Sequence, residues 1–339
     1  MISNAQISIR IPYEKSVFQR NNSNIGNIFI TGTLEQDVDR VEARLVPWIA
    51  NQGQQTEWKT IDNIIDGQSI TGSIEGQGGW YRLEVRAILN NQVTFTNNVE
   101  RVGIGEIFIV AGQSNAQGDG RFSNAKSSLD ERVLAFEPNY YDHNTALIQN
   151  FPNFLSIDKF TNISGNTNIG PIGFTGWCWG ELGDQLVKKL NVPVLFYNTG
   201  LSGTSTENWL ASISGKDTYH VVTGVKFDKF MPYHAFRRTL HSLLSIYGVR
   251  SVLWHQGESD AISRVSELTY FNNLRDLIQE SRNNTGEKIP WVVARVSRYE
   301  GINYPNIISG QNRVISTIES VWAGPSTDEI QPFRPDGAH

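Results

Sequence analysis

Four short segments carry residues able to do covalent chemistry together. Ser114 stands in Glu106-Ile-Phe-Ile-Val-Ala-Gly-Gln-Ser-Asn-Ala-Gln-Gly118, an apolar run of strand length that breaks at Gly112. Asp336 and His339 belong to the segment Asp336-Gly-Ala-His339. A serine hydroxyl is a poor nucleophile at its own pKa and needs a base to take its proton during attack. His339 is the candidate base, and Asp336 the candidate carboxylate that fixes its tautomer and steadies the imidazolium. Their i, i+3 spacing lets both side chains reach one edge from a single turn. Attack on an ester also creates an oxyanion, which needs preorganised donors. The candidates are the backbone N–H groups of Ser114 and Gly203 and the side-chain amide of Gln256. Gln113, Asn115, Glu258 and Trp209 stand beside these groups, as substrate contacts or as residues that orient them. Such parts predict a serine esterase.

Two kinds of pattern must position them. Residues 1–103 read as β-structure, with period-2 segments at 7–11, 27–31, 41–46, 69–74, 80–88 and 93–96 separated by Asn- and Gly-rich turns. That pattern predicts a small all-β sandwich domain. Gly103-Ile-Gly105 marks the expected junction. From 104 to 339, apolar runs at 107–111, 192–197, 251–254 and 291–296 alternate with helical stretches at 181–190, 228–247, 266–281 and 306–319. Alternation of this kind predicts an open α/β sandwich with parallel strands and right-handed crossovers. Ligands of such sheets bind beyond the carboxyl ends of the strands. Three of the strands lead there into Gly112-Gln-Ser-Asn115, the loop from Asn198 to Trp209, and His255-Gln-Gly-Glu-Ser-Asp260.

Composition narrows the class. The 339 residues exceed what one compact core usually holds. A net charge of -5 without long charge runs argues against nucleic acid or an anionic membrane surface as partner. No apolar stretch approaches the roughly 20 residues of a membrane-spanning helix. The one cysteine, Cys178, excludes an intramolecular disulfide and reads as a small buried residue. His255, Glu258 and Asp260 lack the further His or Cys that a metal site would need, and hydrogen bonding accounts for them. His220, His234 and His241 fall in or beside a helical, aromatic-rich stretch and read as core or surface residues. Trp177 and Trp179 either line a pocket or pack internally.

Taken in order, Val110-Ala-Gly-Gln-Ser-Asn115, Gly203-Thr-Ser-Thr206 with Trp209, Trp254-His-Gln-Gly-Glu-Ser-Asp260 and Asp336-Gly-Ala-His339 resemble the motifs of the SGNH (GDSL-like) hydrolase superfamily. The likeness is greatest to its sialate O-acetylesterase-like branch of carbohydrate esterases, and it spans about residues 104–339. It implies a three-layer α/β/α sandwich with a parallel sheet. Ser114 matches the nucleophile, Asp336 and His339 the other triad members, and Gly203 and Gln256 the oxyanion-hole positions. Acetylated carbohydrate is the implied substrate, with no metal or organic cofactor. Gln256 stands where the superfamily usually has asparagine, and Ser202 where relatives often have glycine. The G-x-S-x-G elbow of α/β-hydrolases is missing around Ser114. Relatives continue past the histidine, so a native chain extending beyond His339 is expected, and such a substrate implies export from the cell. Two rival readings stay open: a carbohydrate-binding or scaffold protein on the same fold, and an esterase for non-sugar acyl groups.

Overall fold

The computed structural model describes residues 7–63, 68–118, 125–142, 147–148, 151–152, 155 and 158–330. Asp336 and His339 lie outside the described residues. The N-terminal part contributes β1 (Ile7–Ile11), β2 (Val17–Gln19), β3 (Ile25–Leu34), β4 (Arg40–Pro47), β5 (Lys59–Asp62), β6 (Ser69–Gln77) and β7 (Gly79–Leu89). Strands β1, β3 and β6 form one antiparallel sheet, and β5, β4 and β7 form part of another. Alternation puts Ile28, Ile30 and Ile74 of the first sheet in a common core with Leu45, Leu83 and Val85 of the second. The period-2 segments are therefore strands as expected; β2 and β5 are too short to leave a periodic signal.

The next strand joins the two halves of the chain. Strand β8 (Gln92–Gly112) pairs antiparallel with β7 along its first half. The expected junction, Gly103-Ile-Gly105, falls inside this uninterrupted strand. Its glycines allow close approach: a Cβ on Gly105 would lie 2.1 Å from the Pro193 carbonyl oxygen. Beyond it follow α1 (Ser114–Gln117), β9 (Val133–Phe136), β10 (Tyr141–Asp142), β11 (Leu147–Ile148), β12 (Phe160–Asn162) and α2 (Trp179–Leu190). Then come β13 (Val194–Asn198), α3 (Thr206–Ile213), α4 (Tyr233–Leu244), β14 (Ser251–His255), α5 (Glu258–Ile262) and α6 (Glu267–Thr285). The described chain ends with β15 (Trp291–Arg295), α7 (Pro305–Thr317) and β16 (Val321–Ser326).

Across the large mixed sheet the order is β12-β9-β13-β8-β14-β15-β16, with parallel neighbours from β9 to β16 and β12 antiparallel at the edge. The second half of β8 is the central strand, and its unbroken apolar run is buried on both faces, as parallel strands require. Ile107, Ile109 and Ala111 meet Phe236 and Leu240 of α4 and Leu274 of α6 on one side. Phe108 and Val110 meet Trp179 and Val187 of α2 on the other. Each of the larger aliphatic and Phe side chains contributes about 1.5–3 kcal/mol by leaving water. The helix expected over 228–247 is shorter, Tyr233–Leu244; Pro232 supplies no N–H and sits at its N-cap. Among the described residues no helix is long and apolar enough to cross a membrane.

The chain leaves β8 for β9 and β13 on one side and then crosses to β14 on the other. In open α/β sheets such a reversal is where ligands bind, here at the carboxyl ends of β8, β13 and β14. There the register sets His255 beside Gly112 and Asn198 beside Val110.

Candidate active site

At the end of β8 the backbone makes a turn that only glycine fits. Gly112 has φ +131°, and a Cβ there would lie 2.0 Å from the His255 carbonyl oxygen. Gln113 N–H donates to that oxygen (3.0 Å), and Leu201 N–H donates to the Gly112 carbonyl (3.0 Å). Ser114 follows as the first residue of the one-turn helix α1 and is buried. Two glutamines fix this turn from either side. Gln113 Oε1 accepts from Gln256 Nε2 (3.1 Å), Gly257 N–H (3.3 Å) and Ser259 N–H (3.0 Å). Gln117 Nε2 donates to the Ile172 carbonyl (3.0 Å), while its Oε1 accepts from Ser202 N–H (2.8 Å). Asn115 Nδ2 donates to Glu258 Oε1 (2.9 Å), so both residues tie α1 to the loop after β14.

The second loop presents Gly203 at φ +70°. Its carbonyl accepts from Val221 N–H (2.8 Å), and its N–H has no acceptor among the described residues. A Cβ on Gly203 would lie 2.3 Å from His220 Nε2, so the imidazole rests on this glycine. His220 Nδ1 accepts from Val222 and Thr223 N–H (3.2 Å each), which puts the proton of the neutral ring on Nε2. Burial pushes the His220 pKa below its ordinary value. Thr204 Oγ1 donates to the Leu201 carbonyl (2.8 Å) and accepts from Trp209 Nε1 (3.1 Å). Ser205 caps α3 by accepting from Asn208 N–H, and Asn208 returns a bond to Ser205 N–H.

Gln256, on the third loop, is fully buried. Its Nε2 faces three acceptors: Asp260 Oδ2 (2.5 Å), Gln113 Oε1 (3.1 Å) and the Thr204 carbonyl (3.3 Å). Its own carbonyl accepts from Tyr270 Oη (2.7 Å) and Gln311 Nε2 (3.1 Å). Asp260 also accepts from Thr206 N–H (2.9 Å) and Thr206 Oγ1 (2.6 Å). Burial pushes its carboxyl up to about 6, against the opposite pull of those hydrogen bonds.

The three expected loops therefore converge, bringing Ser114, Gly203 and Gln256 to one edge with Gln113, Asn115 and Glu258 among them. Trp209 is not on a substrate surface. It is fully buried, packed edge-on against Phe236 and Trp254, and it anchors Thr204. Trp179 is buried beside Phe196, whereas Trp177 is half-buried. Cys178, expected inside, is exposed at the N-cap position of α2. Sequence reasoning passed over Thr204, Thr206, Asp260 and His220 as parts of the site. For Thr204, Thr206 and Asp260 the signal was position, within or just after a loop that follows a strand; His220, beyond α3, carried no such signal.

A family model described as carbohydrate esterase, sialic acid-specific acetylesterase (SASA), matches residues 104–327. Among solved structures the chain is similar to a carbohydrate acetylesterase from Xanthomonas citri, at 15% identity and TM-score 0.53, covering 95% of this chain and 68% of that one. It is also similar to a protein from Arabidopsis thaliana, at 18% identity and TM-score 0.45, covering 69% of this chain and 90% of that one. A family two carbohydrate esterase from Cellvibrio japonicus matches at 12% identity and TM-score 0.31, covering 95% of this chain and 85% of that one. No curated protein sequence matches. The Xanthomonas likeness shows a shared fold. The family match takes in the serine, glycine and glutamine loops and well over half of the chain, and on that ground the protein belongs to the SASA family of carbohydrate esterases.

Proposed function

We propose that the protein removes O-acetyl groups from carbohydrate through an acetyl-serine intermediate on Ser114. In acylation His339 takes the Ser114 hydroxyl proton as Oγ bonds to the acetyl carbon, and Asp336 holds the imidazolium. The carbonyl π electrons move onto oxygen, giving an oxyanion that the N–H groups of Ser114 and Gly203 receive. When the oxyanion collapses, the C–O bond to the sugar breaks and His339 returns its proton to the departing hydroxyl. Water repeats the sequence, releasing acetate and restoring the serine.

The observation that carries this reading is the position of Ser114. It is buried at the carboxyl end of the central strand, between the loop of Gly203, whose N–H has no acceptor among the described residues, and the loop that holds Gln256. Gln256 joins the oxyanion site by exchanging its weakest bond, to the Thr204 carbonyl at 3.3 Å, for the developing charge. The same proposal takes residues 104–339 as an SGNH-type α/β/α sandwich. Helix α2 on one face of the sheet, with α4 and α6 on the other, supports that organisation. Residues 1–103 are then a β-sandwich domain docked through β8.

The test is acetate release from acetylated xylan and from O-acetyl sialic acid by wild type and Ser114→Ala in parallel. Release by wild type is expected, with loss of nearly all turnover and unchanged circular dichroism in the variant. Comparable release by both proteins refutes the acetyl-serine route.

A further inference from the structure

We infer that Asp260 is a positioning residue for acyl transfer, holding the Gly203 loop and the Gln256 loop in the relative position at which their donors meet one oxyanion. The inference rests on the proposed esterase reading. Asp260 itself is fully buried and approaches neither Ser114 nor solvent among the described contacts.

Its carboxylate is shared between the two loops. Oδ2 accepts from Gln256 Nε2 at 2.5 Å and from Thr206 N–H at 2.9 Å, while Oδ1 accepts from Thr206 Oγ1 at 2.6 Å. Thr206 lies three residues beyond Gly203 and is the first residue of α3. Its hydroxyl accepts from Asn273 Nδ2 of α6 (3.0 Å), so its single hydrogen is directed at Asp260. Thr206 N–H is also one of the donors that a helix start leaves without an internal acceptor. One side chain thus satisfies the start of the helix behind the glycine loop and sets the rotamer of the glutamine on the neighbouring loop. The direct link between the loops, Gln256 Nε2 to the Thr204 carbonyl, is longer at 3.3 Å and cannot fix their spacing alone.

The chemistry of the group explains why a carboxylate stands there. Three donors converge on it, and only an acceptor-only group serves all three. An asparagine of the same volume would turn an N–H₂ toward either Gln256 Nε2 or Thr206, separating the loops locally while leaving the core packing alone. Hydrogen bonds to charged acceptors in water-excluded surroundings are the stronger kind, so the effect on loop position is not diluted by solvent.

The experiment compares wild type, Asp260→Asn and Thr206→Val on p-nitrophenyl acetate, with rates expressed per active site counted by exhaustive fluorophosphonate labelling. A reversible boronic acid, whose tetrahedral adduct on the serine carries an oxygen at the oxyanion position, reports that site without turnover. Removing a whole oxyanion donor costs about 10²–10³ in turnover, so displacing donors without deleting them predicts a fall in kcat of about 10–100-fold for Asp260→Asn. KM should stay within about twofold and boronate affinity should weaken by the same 10–100-fold, since ground-state binding does not use the oxyanion donors. Thr206→Val, which removes one bond to Asp260 and keeps the charge, should lose about 3–10-fold. The double variant should be no worse than Asp260→Asn alone, because both act through one contact.

A merely structural Asp260 would lower stability and the number of active sites, leaving kcat per site and boronate affinity unchanged; that result overturns the inference. If Asp260→Asn does not fold, unchanged kcat and boronate affinity in Thr206→Val overturn it equally. Wild type that neither releases acetate nor binds the boronic acid refutes the esterase reading itself, and the inference falls with it.

Discussion

Replacing Glu106 by glutamine should lower the melting temperature of the whole chain, although Glu106 belongs to the catalytic half and its partners come from both halves. Glu106 is buried in β8, where it accepts from Arg20 Nε (2.7 Å), Gln19 Nε2 (2.9 Å) and Arg250 Nε (2.5 Å) and Nη2 (3.2 Å). Gln19 Oε1 in turn accepts from Ile107 N–H (2.9 Å), and Arg250 donates to the Arg20 carbonyl (2.8 Å). The amide would leave two guanidinium groups without a counter-charge and set N–H groups against them. Breaking a buried ion pair from one side costs about 3–5 kcal/mol. The arginine side chains keep 15% and 28% exposure, so screening argues for the lower end, about 3 kcal/mol. At about 2.1 cal/mol/K per residue, unfolding 339 residues carries about 0.7 kcal/mol/K, and the shift is about 4 °C. Differential scanning calorimetry of wild type and Glu106→Gln under one buffer and scan rate measures it. Because β8 runs through both sheets, a single transition should move as a unit. Esterase kcat at 25 °C should stay within about twofold, since Glu106 lies about 20 Å along the strand from its end at Gly112, where the Ser114 turn begins. A shift below about 1 °C, or a melt that splits so that only one part moves, would refute the coupling argued from this cluster.

Two further outcomes are expected. Gly203→Ala should lower kcat at least about tenfold, because φ +70° costs a residue with a side chain roughly 1–2 kcal/mol and the new methyl meets the His220 ring at 2.3 Å. Adding His220→Ala should restore part of the loss, and steady-state kinetics that show Gly203→Ala unchanged would remove this glycine from the site. The second outcome concerns pH. Burial, with a smaller contribution from nearby Glu207, raises the Asp260 carboxyl from 3.8 to about 6 against hydrogen bonds from Thr206 and Gln256. Between those values the folded chain holds a proton that the unfolded chain has released, so stability falls as pH rises. The loss is about 3 kcal/mol, complete near pH 6. Urea titrations from pH 4 to 7 should show wild-type stability falling by about that amount relative to Asp260→Asn; a difference that stays level or rises would refute the assignment.

Legibility in the sequence followed the size of the local signal. Long apolar runs such as 107–111 and 251–254 declared buried strands, because a parallel strand covered on both faces has no polar alternation to obscure it. Strand β9 (Val133–Phe136) is only four residues, and β16 contains Gly324 and Pro325, so neither presents a run long enough to stand out. Helix α3 was hidden because its start, Ser205-Thr-Glu-Asn208, looks like a polar loop until the capping bonds are seen. The placement of Ser114, Gly203 and Gln256 in neighbouring loops was legible because the positions of strand ends follow from topology. Gly103 and Gly105 could not be told apart from turn glycines in the sequence, since close packing against Pro193 and a flexible junction both call for glycine.

What the sequence could not declare is which groups the polar side chains beneath the site would bond, and the reason is energetic. Three loops packed against one another leave backbone N–H and carbonyl groups that water cannot reach, and each unpaired group would cost about 1–3 kcal/mol. Gln117, Gln311 and Asp260 each bond groups from different segments, and Gln113 ties α1 to three donors just after β14. A residue that satisfies two loops at once also fixes the distance between them. Stability and geometry therefore rest on the same atoms here. A substitution at one of these hubs that leaves the chain folded should still register in the rate, because a donor misplaced by a fraction of an ångström loses more toward a developing charge than toward a neutral carbonyl.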